Sequence, residues 1–289
     1  MTTTHPEGSA ARDVALELAV QDPDGVRVAA AVRAHRVELC VGLGATGGLT
    51  PSAGLVEAAV AAAAEADGPG PRVEVHVLVR PRPGGFVLTP TDLDVQVRDV
   101  RAAVAAGARG VVVGALTPDG LVDVGAVRAL VDAADGREVT FHRAVDVVAD
   151  PLAALDALSG AGVVRVLTSG GASRSIDGTD RLRAMAAHAR DALGGRVQVM
   201  AGGGVRPQDV GALVAAGVDA VHLSAKRVVA DDAGPGGGGD AGYEVTDPDV
   251  LRPHSPAGHP RACSGAILVS MSQLGNFPVV FVGGPVAIS

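Results

Sequence analysis

The feature that most constrains this chain is a regular alternation of short β-branched runs with helix-forming segments. Eight such runs precede residue 228, and no hairpin turn joins neighbouring ones, so the strands are expected to be parallel with helical crossovers. Eight units in roughly 225 residues predict a closed barrel of the TIM type, a (β/α)8 α/β fold. An open doubly wound sheet is the alternative, although nothing marks an antiparallel edge. The predicted strands are Ala15–Val20, Arg36–Cys40, Val73–Arg80, Gly110–Leu116, Glu138–Asp146, Val163–Ser169, Val197–Ala201 and Ala220–Ser224.

The sequence changes character after the eighth unit. We predict one barrel domain over residues 14–228 and an atypical C-terminal tail over residues 229–289. The tail begins with a linker rich in glycine and aspartate, and Tyr243–Leu251 is expected to start a helix. From Arg252 the chain carries several prolines and no helical period, so the helix that should close the barrel is expected to be missing. A late frameshift would produce this pattern, and a divergent tail that packs in another way is the alternative.

Charge and cysteine content limit the partners and the compartment. The formal net charge of −8 argues against nucleic acid or an anionic membrane as partner. No apolar run reaches the ~18 residues that a membrane helix needs, and the first residues lack the apolar run of a signal peptide. The two cysteines, Cys40 and Cys263, provide no disulfide framework. We therefore expect a reduced, cytoplasmic protein without a membrane partner.

Polar side chains on several strands are predicted to point into the barrel. Alternate strand residues face the interior, and charge fixes the parity because a charged side chain is costly against the helix layer. Barrel interiors are normally apolar, so a polar cluster there usually marks a site, although a structural polar network is the alternative. The inward set is Glu17, Glu38, Cys40, His76, Leu78, Arg80, Thr140, His142, Gln198, Met200, His222 and Ser224.

The fifth strand ends in His142, Arg143 and, at the following turn, Asp146. The carboxyl ends of parallel strands carry the sites of α/β folds, so these side chains are candidates for catalysis, with a structural ion pair as the alternative. Glu17, Glu38 and His142 could act as acid and base. Together with His76 or His222, they could instead hold a divalent metal such as zinc or manganese.

Basic side chains and a glycine loop near the same edge suit an anion. The arginines are Arg80, Arg82 and Arg143, and the loop Gly202–Gly204 follows the seventh strand, where many barrels bind phosphate. Cys40 could be a soft metal ligand or simply a small buried apolar residue.

Seven segments taken together resemble the CutC family of copper homeostasis proteins. They are RVELC at Arg36–Cys40, GGLTPS at Gly47–Ser52, RPR at Arg80–Arg82, TFHRA at Thr140–Ala144, RVLTSG at Arg165–Gly170, MAGGGV at Met200–Val205 and HLS at His222–Ser224. The resemblance implies a cytosolic TIM barrel, usually oligomeric, that is linked to copper handling and Cu(I) binding and that looks like an enzyme of unknown substrate. Members often carry cysteines after the first-strand glutamate, where this chain has Ala19 and Val20, and this departure weakens the expectation of a Cu(I) site.

These observations lead to one hypothesis and two alternatives. The hypothesis is a CutC-type copper homeostasis protein of the cytoplasm, a homo-oligomer whose partner is Cu(I) or a small anion. The first alternative is a lyase-like or isomerase-like enzyme for an anionic or phosphorylated substrate, with copper incidental, and the second is a non-catalytic binding barrel. Catalytic roles are predicted for Glu17, Glu38, His142, Arg143, Asp146 and His222, ligand binding for Arg80, Arg82, Ser169, Gly202, Gly203 and Gly204, and metal ligation for Cys40.

Overall fold

The computed structural model describes residues 14–66, 72–230 and 242–251. Eight parallel strands pair in chain order, and the first pairs with the last, so the barrel is closed. This confirms the predicted (β/α)8 TIM barrel. The strands are β1 (Ala15–Val20), β2 (Arg36–Leu39), β3 (Glu74–Leu78), β4 (Gly110–Val113), β5 (Glu138–Phe141), β6 (Arg165–Thr168), β7 (Gln198–Gly202) and β8 (Ala220–Leu223).

Helices surround the strands, and their starts follow from side chains that cap free amides. Ser52 accepts a hydrogen bond from the amide of Leu55 at the start of one helix, and Thr89 and Asp92 form a reciprocal capping box at the start of another. The helices are α1 (Pro23–Ala31), α2 (Leu43–Thr46), α3 (Ala53–Glu65), α4 (Pro90–Ala105), α5 (Val124–Ala133), α6 (Pro151–Ala161), α7 (Thr179–Asp191) and α8 (Val210–Ala215). In the part of the chain that the structure describes, none of them is long and apolar enough to cross a membrane.

The main apolar core lies between the strand wall and the helices. Val, Leu and Ala fill it, and Phe141 is among its largest fully buried side chains. The barrel interior holds two small apolar clusters instead, one around Cys40, Leu78 and Val112 and the other around Leu167, Met200 and Ala220. The rest of the described lumen is polar, as the charge parity of the strands predicts.

A two-stranded hairpin follows the barrel. Lys226–Val229 (β9) pairs antiparallel with Tyr243–Thr246 (β10), and a 3-10 turn over Pro248–Leu251 follows. The prediction of a helix starting at Tyr243 is therefore wrong, because alternating residues with high β propensity find a partner strand just after β8. The predictions for the tail from Arg252, including a frameshift, lie outside the described residues.

The hairpin lies against the loop that follows β2. Glu244 of β10 accepts hydrogen bonds from the amide of Gly44, at 2.9 Å, and from the side chain of Gln21, at 3.1 Å. Its other carboxylate oxygen is 2.7 Å from Nζ of Lys226. These contacts place the hairpin at the carboxyl ends of β1, β2 and β8, next to the mouth of the barrel.

Candidate functional site

A buried carboxylate on β1 is the centre of the polar lumen. Glu17 is fully buried, and its register partners are Arg36 on β2 and His222 on β8. One oxygen accepts a hydrogen bond from Arg36 Nε at 3.0 Å, and the other lies 2.8 Å from His222 Nδ1. Burial alone would raise the pKa of Glu17, but the hydrogen bond with His222 and the charges of His222 and Arg36 outweigh it and hold the pKa well below its ordinary value. Glu17 is therefore ionised.

His222 is the partner of that carboxylate. Burial lowers the pKa of His222. The hydrogen bond with Glu17 and the charges of Glu38 and Glu17 raise it by more than burial lowers it, so the pKa of His222 lies above its ordinary value. Each of Glu17, Glu38 and His222 offers one potential ligand or proton-transfer atom, and these atoms all lie within 4.8 Å of one another. The structure thus brings three of the predicted site residues together.

Glu38 differs from Glu17 in its hydrogen bonding. Its side chain is buried, and among the residues that the structure describes its Oε2 atom has no hydrogen-bond partner. Burial raises the pKa of Glu38 to about 7, the charge of Glu17 adds to the increase, and the charge of His222 opposes it. A buried carboxyl group that titrates near neutrality can both accept and donate a proton under physiological conditions.

His142 is held as a neutral ring. It follows β5, and its Nδ1 accepts a hydrogen bond from the amide of Ala144 at 3.1 Å, so the neutral ring carries its proton on Nε2. Burial, together with the charge of Arg80, lowers the pKa of His142 to about 4. The ring packs against Phe86, with 5.0 Å between ring centroids. His142 is therefore suited to donating a hydrogen bond rather than to accepting a proton.

Asp146 connects the loops that follow β5 and β6. Its carboxylate accepts hydrogen bonds from Arg143 Nε at 2.8 Å, from Thr168 Oγ1 at 2.6 Å and from both the amide and the hydroxyl of Ser169. The guanidinium of Arg143 also donates to Ser169 Oγ at 3.1 Å, and it is nearly half exposed. Asp146 thus fixes the direction of Arg143 while the guanidinium remains accessible from solvent.

The glycine loop lies beside that arginine. Gly202 ends β7, and Gly203 has a φ of +112°, a conformation that favours glycine. A Cβ atom at Gly203 would lie 3.0 Å from Cζ of Arg143, so the missing side chain lets the guanidinium approach the backbone. A Cβ atom at Gly204 would lie 3.2 Å from Cγ of Arg174, and the guanidinium of Arg174 pairs with Asp209 at 3.0 Å. The helix that follows the loop is α8, which has only six residues.

Comparison with known proteins agrees with this geometry. The profile of the CutC family matches residues 14–227. The chain belongs to the CutC family. Family protein CutC of Caulobacter vibrioides is 42% identical over 204 residues, which are 71% of this chain and 78% of the relative. Family protein CutC of Xylella fastidiosa is 41% identical over 226 residues, which are 76% of this chain and 79% of the relative.

A solved CutC structure has the same barrel. The crystal structure of the protein from Streptococcus agalactiae, named copper homeostasis protein CutC, superimposes with a TM-score of 0.63 at 28% identity. The match covers 72% of this chain and 97% of the other. The described barrel is thus a CutC barrel over nearly the full length of that protein.

Binding of the copper expected of a CutC protein would depend on the sulfur atoms that the lumen offers. The thiol of Cys40 is buried among Leu78, Val112 and Leu43, and burial together with the charge of Glu38 raises its pKa well above the ordinary value. Cu(I) prefers two or more soft ligands in their deprotonated form. The other sulfur of the described lumen, that of Met200, belongs to the second apolar cluster and faces Arg36 Nη2 at 3.9 Å. Within residues 14–66, 72–230 and 242–251, the sulfurs therefore do not form a Cu(I) cradle.

Two arginines predicted to bind an anion are engaged elsewhere. Arg80 donates to the carbonyl oxygens of Thr46 and Gly48, each at 2.8 Å, and so ties the loop after β2 to the loop after β3. Arg82 forms a bidentate pair with Asp92, at 2.9 and 2.7 Å, on α4. Both lie near the mouth, and the hydrogen bonds of both guanidinium groups go to loop carbonyl oxygens or to Asp92.

Arg36 and Arg174 are site residues that sequence reasoning missed. The signal for Arg36 was present, because it lies two residues before Glu38 on the same strand and so shares its inward face. No pattern in the sequence marks Arg174, because its position beside Gly204 depends on how two loops meet.

Proposed function

We propose that this CutC protein is an enzyme that transfers protons on a small anionic substrate at the carboxyl-terminal mouth of its barrel. The observation that carries the proposal is the carboxylate of Glu38: its buried Oε2 has no hydrogen-bond partner among the described residues, and one of its oxygens lies within 4.8 Å of ligand atoms of Glu17 and His222. Natural proteins rarely leave a buried polar atom without a partner unless the site has another use for it. A substrate C–H or O–H group that approaches this atom would supply the missing donor.

The roles of the other side chains follow from their contacts. Glu17 stays ionised and keeps His222 in place beside Glu38, so the charge of His222 helps to set the pKa of the carboxyl group that exchanges the proton. Arg143, fixed by Asp146 and exposed beside Gly203, is the cation that would bind the carboxylate or phosphate of the substrate. His142 would donate its Nε2 proton in a hydrogen bond to a substrate oxygen. This set suits an isomerase or a lyase that removes a proton next to a carbonyl group.

The test is hydrogen exchange in deuterated buffer. The full chain is incubated with a panel of phosphorylated sugars and 2-oxo acids, and deuterium incorporation is measured by mass spectrometry. We expect one compound to exchange, Glu38→Gln to abolish the exchange while binding persists, and Arg143→Gln to weaken binding tenfold or more. Arg98→Gln is the control, because Arg98 is exposed and contacts Asp94 on α4. Exchange that is undiminished in Glu38→Gln would refute the proposal.

A role in copper handling is the second candidate. It is supported by the name of the Streptococcus agalactiae protein and by the position of Cys40, a buried thiol close enough to Glu38 for their charges to interact. With one thiol in the described lumen, we expect modest Cu(I) affinity that falls sharply in Cys40→Ser. Anaerobic competition with a Cu(I) chelator measures this, and equal binding by both proteins would remove Cys40 from the copper hypothesis.

We also propose that the protein acts in the cytoplasm as a homo-oligomer, as the family resemblance implies. Cys40, a buried free cysteine, fits a reducing compartment. Light scattering of the purified full chain measures the oligomeric state, and a monomer at micromolar concentration would contradict the second part.

A further inference from the structure

A second group of ionisable side chains lies at the opposite, amino-terminal end of the lumen. Glu74 and Glu138 are the first residues of β3 and β5, and His76 lies one inward position further along β3. One atom from each of the three side chains falls within 4.8 Å of the others. The proposed function does not use these residues.

A glycine on the intervening strand brings the group together. Gly110 begins β4 and is the register partner of both His76 and Glu138. A Cβ atom at Gly110 would lie 2.5 Å from Nδ1 of His76 and 2.8 Å from the carbonyl oxygen of Glu138. Because that position has no side chain, the imidazole of β3 can lie across β4 and face the carboxylate of β5.

His76 is fully buried, yet its nitrogens are unsatisfied. In the part of the chain that the structure describes, neither Nδ1 nor Nε2 has a hydrogen-bond partner. Nε2 lies 3.7 Å from an oxygen of Glu74 and 3.9 Å from an oxygen of Glu138, which is too far for a hydrogen bond. These separations are close to the ~3.4 Å that divides two ligand atoms around a tetrahedral ion with bonds of about 2.0–2.2 Å.

We propose that Glu74, His76 and Glu138 bind a divalent transition-metal cation, for which Zn²⁺ is the probe. An imidazole nitrogen and two carboxylate oxygens are borderline to hard donors, which suit Zn²⁺ and related divalent ions rather than Cu(I). The two carboxylates balance the charge of the ion. Their side chains are 43% and 46% exposed, so water can reach the remaining coordination positions.

Three arginines lie around this site: Arg165 is hydrogen-bonded to Glu138, and the charges of Arg36 and Arg109 act on Glu74. Arg165 donates to Glu138 Oε2 at 2.8 Å, but it also donates to Gln198 and to Thr140, so it orients the Glu138 carboxylate while sharing its charge with neutral acceptors. Arg36 directs its charge to Glu17. The amino-terminal face of a TIM barrel usually serves stability, so bound metal is expected to stabilise the fold rather than to act on a substrate.

The experiment titrates Zn²⁺ into the untagged full chain after treatment with a chelator. Bound zinc is measured against a colorimetric competitor, and thermal unfolding is followed in parallel. We expect Glu74→Gln and His76→Gln to lose one equivalent of zinc, or to bind it at least tenfold more weakly, and to lose the zinc-dependent increase in Tm. Glu57→Gln, an exposed glutamate on α3, is the matched control.

Two further comparisons make the outcome decisive. Glu74 is partly exposed and its replacement is nearly isosteric, so the metal-free Tm of Glu74→Gln should equal that of the wild type. Glu38→Gln should keep the equivalent that Glu74→Gln loses, which separates this site from the Glu17–Glu38–His222 cluster. The proposal is overturned if the wild type binds no zinc, if Glu74→Gln binds as much as Glu57→Gln, or if the loss occurs in Glu38→Gln instead.

Discussion

Replacing Glu38 by glutamine should change how the stability of the protein depends on pH. The amide has nearly the shape of the carboxyl group but cannot ionise, so it imitates the protonated form at every pH. In the wild type the buried carboxyl group has no hydrogen-bond partner for Oε2 among the described residues, and ionisation places an uncompensated charge there. The variant avoids that charge.

The magnitude follows from the shift in pKa. The pKa of Glu38 is raised from 4.5 to about 7 by burial, with a contribution from the charge of Glu17. A shift of about 2.5 units corresponds to about 3 kcal/mol, since one unit is worth about 1.4 kcal/mol. The folded state binds this proton more tightly than the unfolded state. The stabilisation is therefore complete below pH 4.5 and is lost as the pH rises through 7.

The free energy of unfolding should be measured in urea at pH 5, 6, 7 and 8 by circular dichroism, because the chain has no tryptophan. We expect Glu38→Gln to match the wild type within about 1 kcal/mol at pH 5 and to exceed it by up to about 3 kcal/mol at pH 8. The charge of Glu38 contributes to the raised pKa of His222, so the pKa of His222 is lower in Glu38→Gln and the difference includes this coupling. Glu57→Gln again provides the exposed control.

A difference between Glu38→Gln and the wild type that does not vary from pH 5 to pH 8 would refute this reasoning. It would mean that Glu38 is ionised throughout and that an additional group compensates its charge. The proposed role of Glu38 in proton transfer would then lose its physical basis, because a carboxylate with an ordinary pKa would rarely hold a proton near neutrality.

Three other predictions concern the same lumen. Glu17→Gln should cost about 3–5 kcal/mol in urea unfolding, because it leaves the buried Arg36 without its ionic partner, and Glu57→Gln should cost almost nothing. In the wild type the contribution of Glu17 should begin to decrease as the pH falls below 4.5 and should be lost only below the folded pKa, which is lower still; acid unfolding monitored by circular dichroism tests this sign. Asp146→Asn should weaken the binding of phosphate or a carboxylate ligand about tenfold in thermal-shift titrations, because Arg143 loses its orienting partner. An equal loss in the control Arg98→Gln would contradict the role of Arg143 in binding the anion.

The fold could be predicted from the sequence because the relevant signals are local. Each strand carries its own β-branched run, each crossover its own helix, and caps such as Ser52 mark where helices begin. The inward direction of Glu17, Glu38 and His222 also followed from strand alternation. The wrong assignment at Tyr243 shows where prediction from local signals fails. This segment is a strand because it pairs with β9, and the sequence between the two strands carries no signal for that pairing.

Side-chain partners were harder to predict than side-chain directions. Strand alternation predicts that Arg80 points inward. It does not predict that the loops after β2 and β3 present carbonyl oxygens to the guanidinium of Arg80. The role of Asp146, either as a general acid or as a residue that orients Arg143, similarly depends on the backbone amides of the loop after β6. These amides donate hydrogen bonds to Asp146 only in the folded barrel. Such contacts depend on how separate loops meet, and this information is not contained in any single segment.

The distribution of ion pairs along the barrel axis explains how one polar lumen can serve two purposes. Arg36 lies between two groups of acidic side chains. It shares strand β2 with Glu38, two residues further along, but it forms its ion pair with Glu17 on the neighbouring strand β1. That pairing leaves Glu38 with no arginine partner among the described residues, and burial raises its pKa to about 7 although the charge of His222 opposes the increase. Had Arg36 paired with Glu38 instead, the pKa of Glu38 would be lowered rather than raised and Glu38 would stay ionised near neutrality. Under the proposed function, the partner choice of one buried arginine therefore decides which glutamate is structural and which exchanges a proton.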